Sequence, residues 1–163
     1  MKYHISFSTV FLAALIFLVL LVTESQAKST RRDLCRSASY KPLCRATLRG
    51  ISDPRKAIEA SIKRAIFKTK SAIVMSRKMR RNENYDICRE NYDDAISDLQ
   101  DSIRNLRKGD KATLTTNLSA VISYYSTCDD AFEEMDEKSP LTRANMILEH
   151  MVDNALSIVP LMR

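Results

Sequence analysis

The chain has 163 residues, with 26 lysines and arginines against 20 aspartates and glutamates, and a formal net charge of +6. This length favours a single domain, and two glycines without a tryptophan indicate helices rather than a strand-rich fold. The positive charge favours acidic polysaccharide or acidic protein surfaces as partners.

The N-terminal segment, residues 1–27, is predicted to be a signal peptide. Val10 to Val22 is an unbroken run of 13 apolar residues, and Ser25-Gln26-Ala27 supplies a small-x-small cleavage site. A membrane anchor is the alternative, but such a run spans only roughly 20 Å of a ~30 Å hydrocarbon core. We therefore expect a secreted protein of the extracellular space, or apoplast, with residues 28–163 as its domain. No nucleic-acid partner and no membrane contact after cleavage are expected.

Four stretches of the mature chain repeat apolar residues at steps of three and four, the spacing of one helix face. Asp53-Pro54 and Ser139-Pro140, each a capping residue followed by proline, predict the starts of the first and last helices. Because the connections are short, residues 51–163 are predicted to form an antiparallel four-helix bundle. The predicted apolar seams are Ile58–Ile73, Cys88–Leu106, Leu114–Met135 and Ala144–Val159.

An even number of cysteines in a secreted chain indicates a disulfide framework, and four cysteines allow three connectivities. In one continuous helix Cys35 and Cys44 would lie about 13.5 Å apart, too far for a bridge. Pairing them requires the chain to reverse, and Pro42 supplies the break. Residues 28–50 would then form a small α-hairpin ahead of the bundle.

The second cysteine pair is related through a turn. Gly109 is predicted to end the second bundle helix and Asp110 to cap the third. Cys88 lies 21 residues before Gly109, and Cys128 lies 18 residues after Asp110. In antiparallel helices this mismatch is only about 4.5 Å. The sequence therefore predicts the pairing Cys35–Cys44 and Cys88–Cys128.

The residues argue against an enzyme. His150 is the only histidine of the mature chain, and the thiols are assigned to disulfides, so no histidine-activated nucleophile can be assembled. The chain has no glycine-rich phosphate loop and no set of three or four zinc ligands. We predict no catalytic residue, no metal and no cofactor. The methionines, Tyr124 and Tyr125 are interpreted as core or half-buried filling.

Four segments of the chain form a distinctive set of motifs. Eight residues separate Cys35 from Cys44. The other three segments are Cys88-Arg89-Glu90-Asn91-Tyr92-Asp93-Asp94, Lys108-Gly109-Asp110 and Ser126-Thr127-Cys128-Asp129-Asp130. They resemble the cysteine spacing, the third-cysteine helix, the usual turn and the fourth-cysteine segment of the plant invertase and pectin methylesterase inhibitors, and the resemblance covers essentially all of the mature chain. The resemblance implies an N-terminal α-hairpin, a four-helix bundle and the same two disulfides.

The resemblance also implies a function. In pectin methylesterase inhibitors the bundle covers the active-site cleft of the enzyme in a non-covalent one-to-one complex, so this chain is expected to be a monomeric inhibitor. The threonine and aspartate of the family's fourth-cysteine segment fall on Thr127 and Asp130, which become candidates for target binding. Polar positions on the third-cysteine helix add Glu90, Asn91 and Asp94.

The identity of the target enzyme is predicted from the residues that follow the Gly109-Asp110 turn. Invertase inhibitors usually carry a Pro-Lys-Phe motif after this turn, whereas this chain has Lys111-Ala112-Thr113. The difference favours pectin methylesterase over acid invertase of the cell wall or vacuole, which stays an alternative. A non-inhibitory extracellular helical binding protein is a second alternative. The stretch from Cys44 to Cys88 is shorter than in typical members, which predicts a trimmed first bundle helix. Pro42 also lies one residue nearer to Cys44 than is usual.

Two surface features complete the prediction. The first bundle helix carries a basic face from Lys63 to Arg81, which predicts a weak contact with anionic pectin or with an acidic enzyme. The alternative interpretation is a face that is simply solvated. Asn117-Leu118-Ser119 is a glycosylation sequon in a secreted chain, although it lies inside a predicted helix.

Overall fold

The computed structural model describes residues 33–79 and 83–162, and every regular element in that part of the chain is helical. The predicted all-α class is therefore confirmed. The predicted signal peptide lies outside the described residues, and no helix found within them is both long and apolar enough to cross a bilayer. The elements are α1 (Lys41–Thr47), α2 (Pro54–Lys78), α3 (Glu83–Lys108), α4 (Lys111–Glu133), α5 (Thr142–Leu156) and a 3-10 turn (Val159–Leu161).

Helices α2 to α5 form the predicted four-helix bundle. Each packs against the helix that follows it, and α5 closes the ring against α2. Helix α2 has 25 residues, close to the 26 of α3 and the 23 of α4. The first bundle helix is therefore not short relative to its neighbours, whatever its length relative to the family.

The start of α2 follows from its capping sequence. Asp53 has an extended backbone, and its carboxylate accepts a hydrogen bond from the Lys56 amide at 2.8 Å. Pro54 occupies the first turn, where a missing amide hydrogen costs nothing. The predicted apolar face of α2 is buried and its basic face is exposed as far as Lys78. Arg80 and Arg81 lie outside the described residues.

The turn between α3 and α4 also forms as predicted. Gly109 has a φ of 78°, the left-handed conformation that glycine adopts without a steric penalty. Asp110 caps α4, since its two carboxylate oxygens accept from the amide and the hydroxyl of Thr113 at 3.0 and 2.7 Å. These bonds lower the pKa of Asp110. The turn fixes the register in which α3 and α4 pack.

The connection between α4 and α5 differs from the prediction in two places. Helix α4 ends at Glu133, so Met135 does not belong to the apolar seam and is 61% exposed. The reason is local, because Asp136 takes a φ of 55° and turns the chain away. Helix α5 then begins at Thr142 rather than directly after Ser139-Pro140. Ser139 instead holds a turn, since its hydroxyl accepts from the Leu141 amide at 3.1 Å.

The N-terminal piece docks on α5. Cys35 and Cys44 form the predicted disulfide, and α1 is the helical second arm of the hairpin. The described part of the first arm, residues 34–40, consists of turns. Asn154 binds the Tyr40 backbone twice, accepting from its amide at 3.2 Å and donating to its carbonyl at 3.1 Å. The hairpin is thereby fixed to the bundle.

Candidate functional site

The Cys88–Cys128 disulfide joins the beginning of α3 to the end of α4, as predicted. The two Cα atoms lie 4.5 Å apart, and both side chains are fully buried. The two helices therefore run at one level here, at the end of the pair that lies far from the Gly109 turn. Exposed residues near the two cysteines that lie on the same side of this helix pair are close to each other on the protein surface.

Thr127 and Asp130 are exposed on α4 beside this bridge. Residues three positions apart on a helix are surface neighbours. The Thr127 hydroxyl donates to the Ser123 carbonyl at 2.9 Å, one turn earlier on the same helix. Its oxygen lone pairs remain available to a donor from a partner, and the Asp130 carboxylate is an acceptor as well. The pair therefore offers acceptors to a partner surface that carries donors.

Glu90, Asn91 and Asp94 lie on α3 at the same end of the pair. Glu90 and Asp94 are exposed and one helical turn apart, while Asn91 is half-buried. The Asn91 side-chain amide donates to the Ile87 carbonyl at 2.9 Å, which orients its own carbonyl oxygen. All five predicted binding residues thus lie on the neighbouring helices that the long disulfide joins.

Tyr124 connects the two sets of candidates and was not predicted as a site residue. It is half-buried, and its hydroxyl donates to the Asp98 carboxylate at 3.4 Å across the α3–α4 boundary. Burial raises its pKa, and the charges of Asp98 and Asp94 add to this rise. Thr127 follows Tyr124 by three residues and so lies next to it. We call the surface formed by these residues the α3–α4 face, namely Glu90, Asn91, Asp94, Tyr124, Thr127 and Asp130.

A hydrogen-bond network that runs from the core to the surface of α5 supports this face. The Tyr92 hydroxyl donates to the Asn145 side-chain carbonyl at 2.5 Å, and Asn145 donates to Asp129 at 3.0 Å. The Thr142 hydroxyl donates to the same Asp129 oxygen at 3.0 Å. Burial raises the pKa of Tyr92, and the charge of Asp129 raises it further. Because Asp129 lies between Thr127 and Asp130 in sequence, this network fixes that turn of α4 against α5.

A second contact ties α4 to α5 through Glu149. The Ser126 hydroxyl donates to the Glu149 carboxylate at 3.2 Å. Burial raises the pKa of Glu149, and the charges of Asp129 and Asp130 raise it further against the opposing effect of the Ser126 bond. The negative potential of this end of the bundle therefore extends from the exposed Asp130 into the α4–α5 boundary.

His150 on α5 has a packing role. His150 stacks on Tyr40 with ring centroids 3.2 Å apart and an interplanar angle of 14°. The His150 ring is half-buried, and burial lowers its pKa. Within residues 33–79 and 83–162 no group of three or more histidine, cysteine or acidic side chains is arranged to hold a metal ion.

Asn117 of the sequon lies inside α4 and is half-buried. Ser119, the third residue of the sequon, donates its hydroxyl to the Thr115 carbonyl at 2.9 Å. The ten residues from Asn117 to Thr127 correspond to about 15 Å along the helix. A glycan at this position stays a prediction, and its attachment point would lie about 15 Å along α4 from Thr127.

Comparisons with known proteins agree with this architecture. A pectinesterase inhibitor from Actinidia deliciosa is 28% identical over 172 residues, which cover 93% of this chain and 92% of that protein. "Putative pectinesterase/pectinesterase inhibitor 43" from Arabidopsis thaliana is 30% identical over 152 residues, or 80% of this chain. The match spans only 22% of that longer protein.

The fold has a counterpart among solved structures. The crystal structure of a mutant form of a pectin methylesterase inhibitor from Arabidopsis superposes with a TM-score of 0.71, covering 80% of this chain and 95% of that one at 14% identity. The family described as "Plant invertase/pectin methylesterase inhibitor" matches residues 29–158. It is a family of inhibitors, so the prediction that this chain is not an enzyme is confirmed. The chain belongs to the plant invertase/pectin methylesterase inhibitor family.

Proposed function

We propose that this chain is a secreted inhibitor of pectin methylesterase that covers the active-site cleft of the enzyme in a non-covalent one-to-one complex. The observation that carries the proposal is the match to the Actinidia deliciosa protein, named a pectinesterase inhibitor, over 92% of its length. The predicted signal peptide over residues 1–27 supports secretion into the wall space where pectin is found.

The turn before α4 favours pectin methylesterase over invertase. Lys111-Ala112-Thr113 stands where invertase inhibitors usually carry Pro-Lys-Phe, and this segment is the capped first turn of α4. Lys111 donates to the Met162 backbone carbonyl, so its ammonium group is engaged with the C-terminal part of the chain. This region therefore offers a partner neither the aromatic ring nor the free lysine of that motif.

The α3–α4 face is suited to rigid steric blocking. Its backbone is held by the Cys88–Cys128 bridge, and the Asp129–Asn145 bond holds it from below. A preordered surface loses little conformational entropy on binding, so more of the interaction energy remains as affinity. Its polar acceptors suit the wet, hydrogen-bonded interfaces typical of non-obligate complexes. Inhibition in this arrangement is exclusion of substrate, and it needs no chemistry from the inhibitor.

The decisive experiment titrates the purified, oxidised mature chain against a panel of plant pectin methylesterases at micromolar concentration. We expect loss of esterase activity and a one-to-one complex in size-exclusion chromatography with light scattering. Full esterase activity across the panel contradicts the proposal. Acid invertase assayed in parallel separates the alternative target, because invertase inhibition without esterase inhibition would reassign the function. A non-inhibitory binding protein would leave both enzymes fully active.

A further inference from the structure

The outer face of α2 carries a straight row of positive charges. Lys56, Lys63, Lys70 and Arg77 follow one another at intervals of seven residues, and all four are exposed. Seven residues make almost two full helical turns, so these side chains lie in line about 10.5 Å apart. The row is therefore about 31 Å long, nearly the whole length of the helix.

Exposed apolar side chains lie in two of the three gaps of this row. Phe67 lies one turn beyond Lys63, and Val74 lies one turn beyond Lys70. Phe67 is 73% exposed and Val74 is 50% exposed, and Met75 on the same helix is 42% exposed. Cations and apolar groups thus alternate along one line. We call this line the α2 stripe, formed by Lys56, Lys63, Phe67, Lys70, Val74 and Arg77.

In the described part of the chain, the protein's own carboxylates pair with only one of the four cations of the stripe, Lys63. Helix α2 contains eight basic residues and one acidic residue, Glu59, which pairs with Lys63 at 2.8 Å. Over residues 33–79 and 83–162, no carboxylate forms an ion pair with Lys56, Lys70 or Arg77. The chain's carboxylates concentrate on α3, which carries seven. The stripe is therefore complementary to an external anion.

The spacing of the cations selects the shape of that anion. A single exposed ion pair contributes only about 0 to 1 kcal/mol, and a small anion can reach only one cation of the row. A linear polyanion lying along α2 reaches all four, and the contacts then act together at high effective concentration. Phe67 and Val74 require apolar surface between the charges of the ligand. Sugar ring faces and methyl ester groups provide such surface, whereas a purely ionic polymer does not.

We propose that the α2 stripe binds a linear, partly methyl-esterified polyuronate, the chemistry of pectin itself. The stripe is separate from the α3–α4 face, because α2 packs against α3 and α5. One molecule can therefore hold the polymer and an enzyme at the same time, which would keep the inhibitor where its target works. Polymer binding adds to the proposed inhibition and does not depend on it.

The test compares two triple variants with the same net charge. K56Q/K70Q/R77Q removes three cations of the stripe, and K41Q/K108Q/R143Q removes three exposed cations from three other helices. Binding to half-esterified polygalacturonate, to fully de-esterified polygalacturonate and to neutral dextran is measured at several salt concentrations. We expect the stripe variant to bind both uronates about tenfold more weakly with a shallower salt dependence, and the control to change less than about twofold.

A further variant tests the apolar part of the stripe. F67S should weaken binding to the half-esterified polymer more than binding to the de-esterified one, because only the first offers methyl esters. Equal losses in the two triple variants would overturn the proposal, since total charge would then explain the binding. Failure of the wild type to bind either uronate at low salt would overturn it as well. So would self-association at low salt that the stripe variant abolishes, because the occupant would then be the acidic face of a second copy.

Inhibition is measured separately with a short, soluble esterified oligomer as substrate. Both triple variants should inhibit like the wild type, and circular dichroism should show equal helix content. If the wild type binds polyuronate but inhibits no esterase, the proposed function is overturned and the proposal of polymer binding by the stripe stands. If the stripe variant loses inhibition and polymer binding together, the claim that the α2 stripe and the α3–α4 face are separate binding surfaces is contradicted.

Discussion

The hydroxyl oxygens of Thr69 and Tyr125 lie 2.7 Å apart in the centre of the bundle, where both side chains are fully buried. The Thr69 hydroxyl also donates to the Ala65 carbonyl at 2.9 Å. A threonine hydroxyl has one hydrogen, so Tyr125 must be the donor of the bond between α4 and α2. Removing the hydroxyl of Thr69 and removing that of Tyr125 should therefore lower the stability of the fold by different amounts.

This inequality predicts a difference in stability between T69V and Y125F. T69V removes the acceptor and leaves the Tyr125 hydroxyl buried without a partner, which costs about 1–3 kcal/mol. Y125F removes the donor, but Thr69 keeps its bond to Ala65, so the loss should be about 1 kcal/mol. Denaturant unfolding of the oxidised proteins measures both values. The double variant should be more stable than T69V alone, and a larger loss in Y125F than in T69V contradicts the assigned direction.

The two disulfides are predicted to stabilise the fold unequally. Cys88–Cys128 closes a loop with a sequence separation of 40, against 9 for Cys35–Cys44. On the chain-entropy model the longer bridge contributes about 4 kcal/mol and the shorter one about 3 kcal/mol. All four sulfurs are buried, so C88A/C128A and C35A/C44A leave comparable packing defects. Guanidinium unfolding of the two variants should rank them in this order, and the reverse ranking contradicts the prediction.

Glu149 predicts a pH-dependent stability difference. Burial raises its pKa, so the folded state holds the proton more tightly than the unfolded chain does. The stabilisation from the protonated form is complete below the unfolded pKa and is lost as pH rises through the raised, folded pKa. E149Q, which keeps an acceptor for Ser126, should therefore be more stable than the wild type at neutral pH. The gain should stay below about 1 kcal/mol, because solvent screens the neighbouring charges.

The measurement compares thermal unfolding of E149Q and wild type from acidic to neutral pH. Their stabilities should converge as pH falls below the ordinary range of a glutamate. E134Q supplies the control, since Glu134 is exposed just beyond α4. It removes the same charge without the burial. A gap between E149Q and wild type that widens toward acidic pH contradicts the raised pKa.

The sequence predicted those features that depend on one helix or one turn. Counting residues in both directions from Gly109 predicted that Cys88 and Cys128 lie at the same height on α3 and α4. This works because a tight turn between two regular helices fixes their register. Met135 could not be placed in the same way. In the sequence, the apolar periodicity of α4 continues to Met135. In the structure, the helix ends two residues before Met135, because the backbone of Asp136 is left-handed. Such a helix end has no strong residue signal, since aspartate also occurs within helices.

The sequence was sufficient to choose candidate site residues, but it could not predict the hydrogen bonds that these residues and their neighbours make. Thr127 and Asp130 came from a motif beside a cysteine, whereas the bond from Tyr124 to Asp98 depends on how α4 is rotated against α3. The half-buried bond from Asn145 to Asp129 likewise depends on the packing of α5. From the sequence alone, Asp129, the acidic residue next to Asp130, is expected to be part of a solvated helix face. Its half-buried role appears only when the neighbouring helix supplies donors.

Thr116 provides a matched control for Thr127, one of the proposed target-binding residues. Thr127 and Thr116 are both exposed on α4, and each donates its hydroxyl to a carbonyl four residues earlier, at 2.9 and 3.2 Å. T127A and T116A should therefore change helix stability equally. If the α3–α4 face contacts the enzyme, only T127A should weaken inhibition, by about tenfold, as expected for a central interface residue.

D130N extends the comparison to charge, since asparagine keeps the shape of Asp130 and removes its negative charge. Inhibition constants for pectin methylesterase are measured together with unfolding midpoints. A loss of inhibition at unchanged midpoint means that the side chain contacts the target, because a purely structural role would lower stability first. Equal inhibition by T127A, T116A and wild type would move the contact surface away from the bridge. The motif beside Cys128 would then serve the packing of α4 and not the recognition of an enzyme.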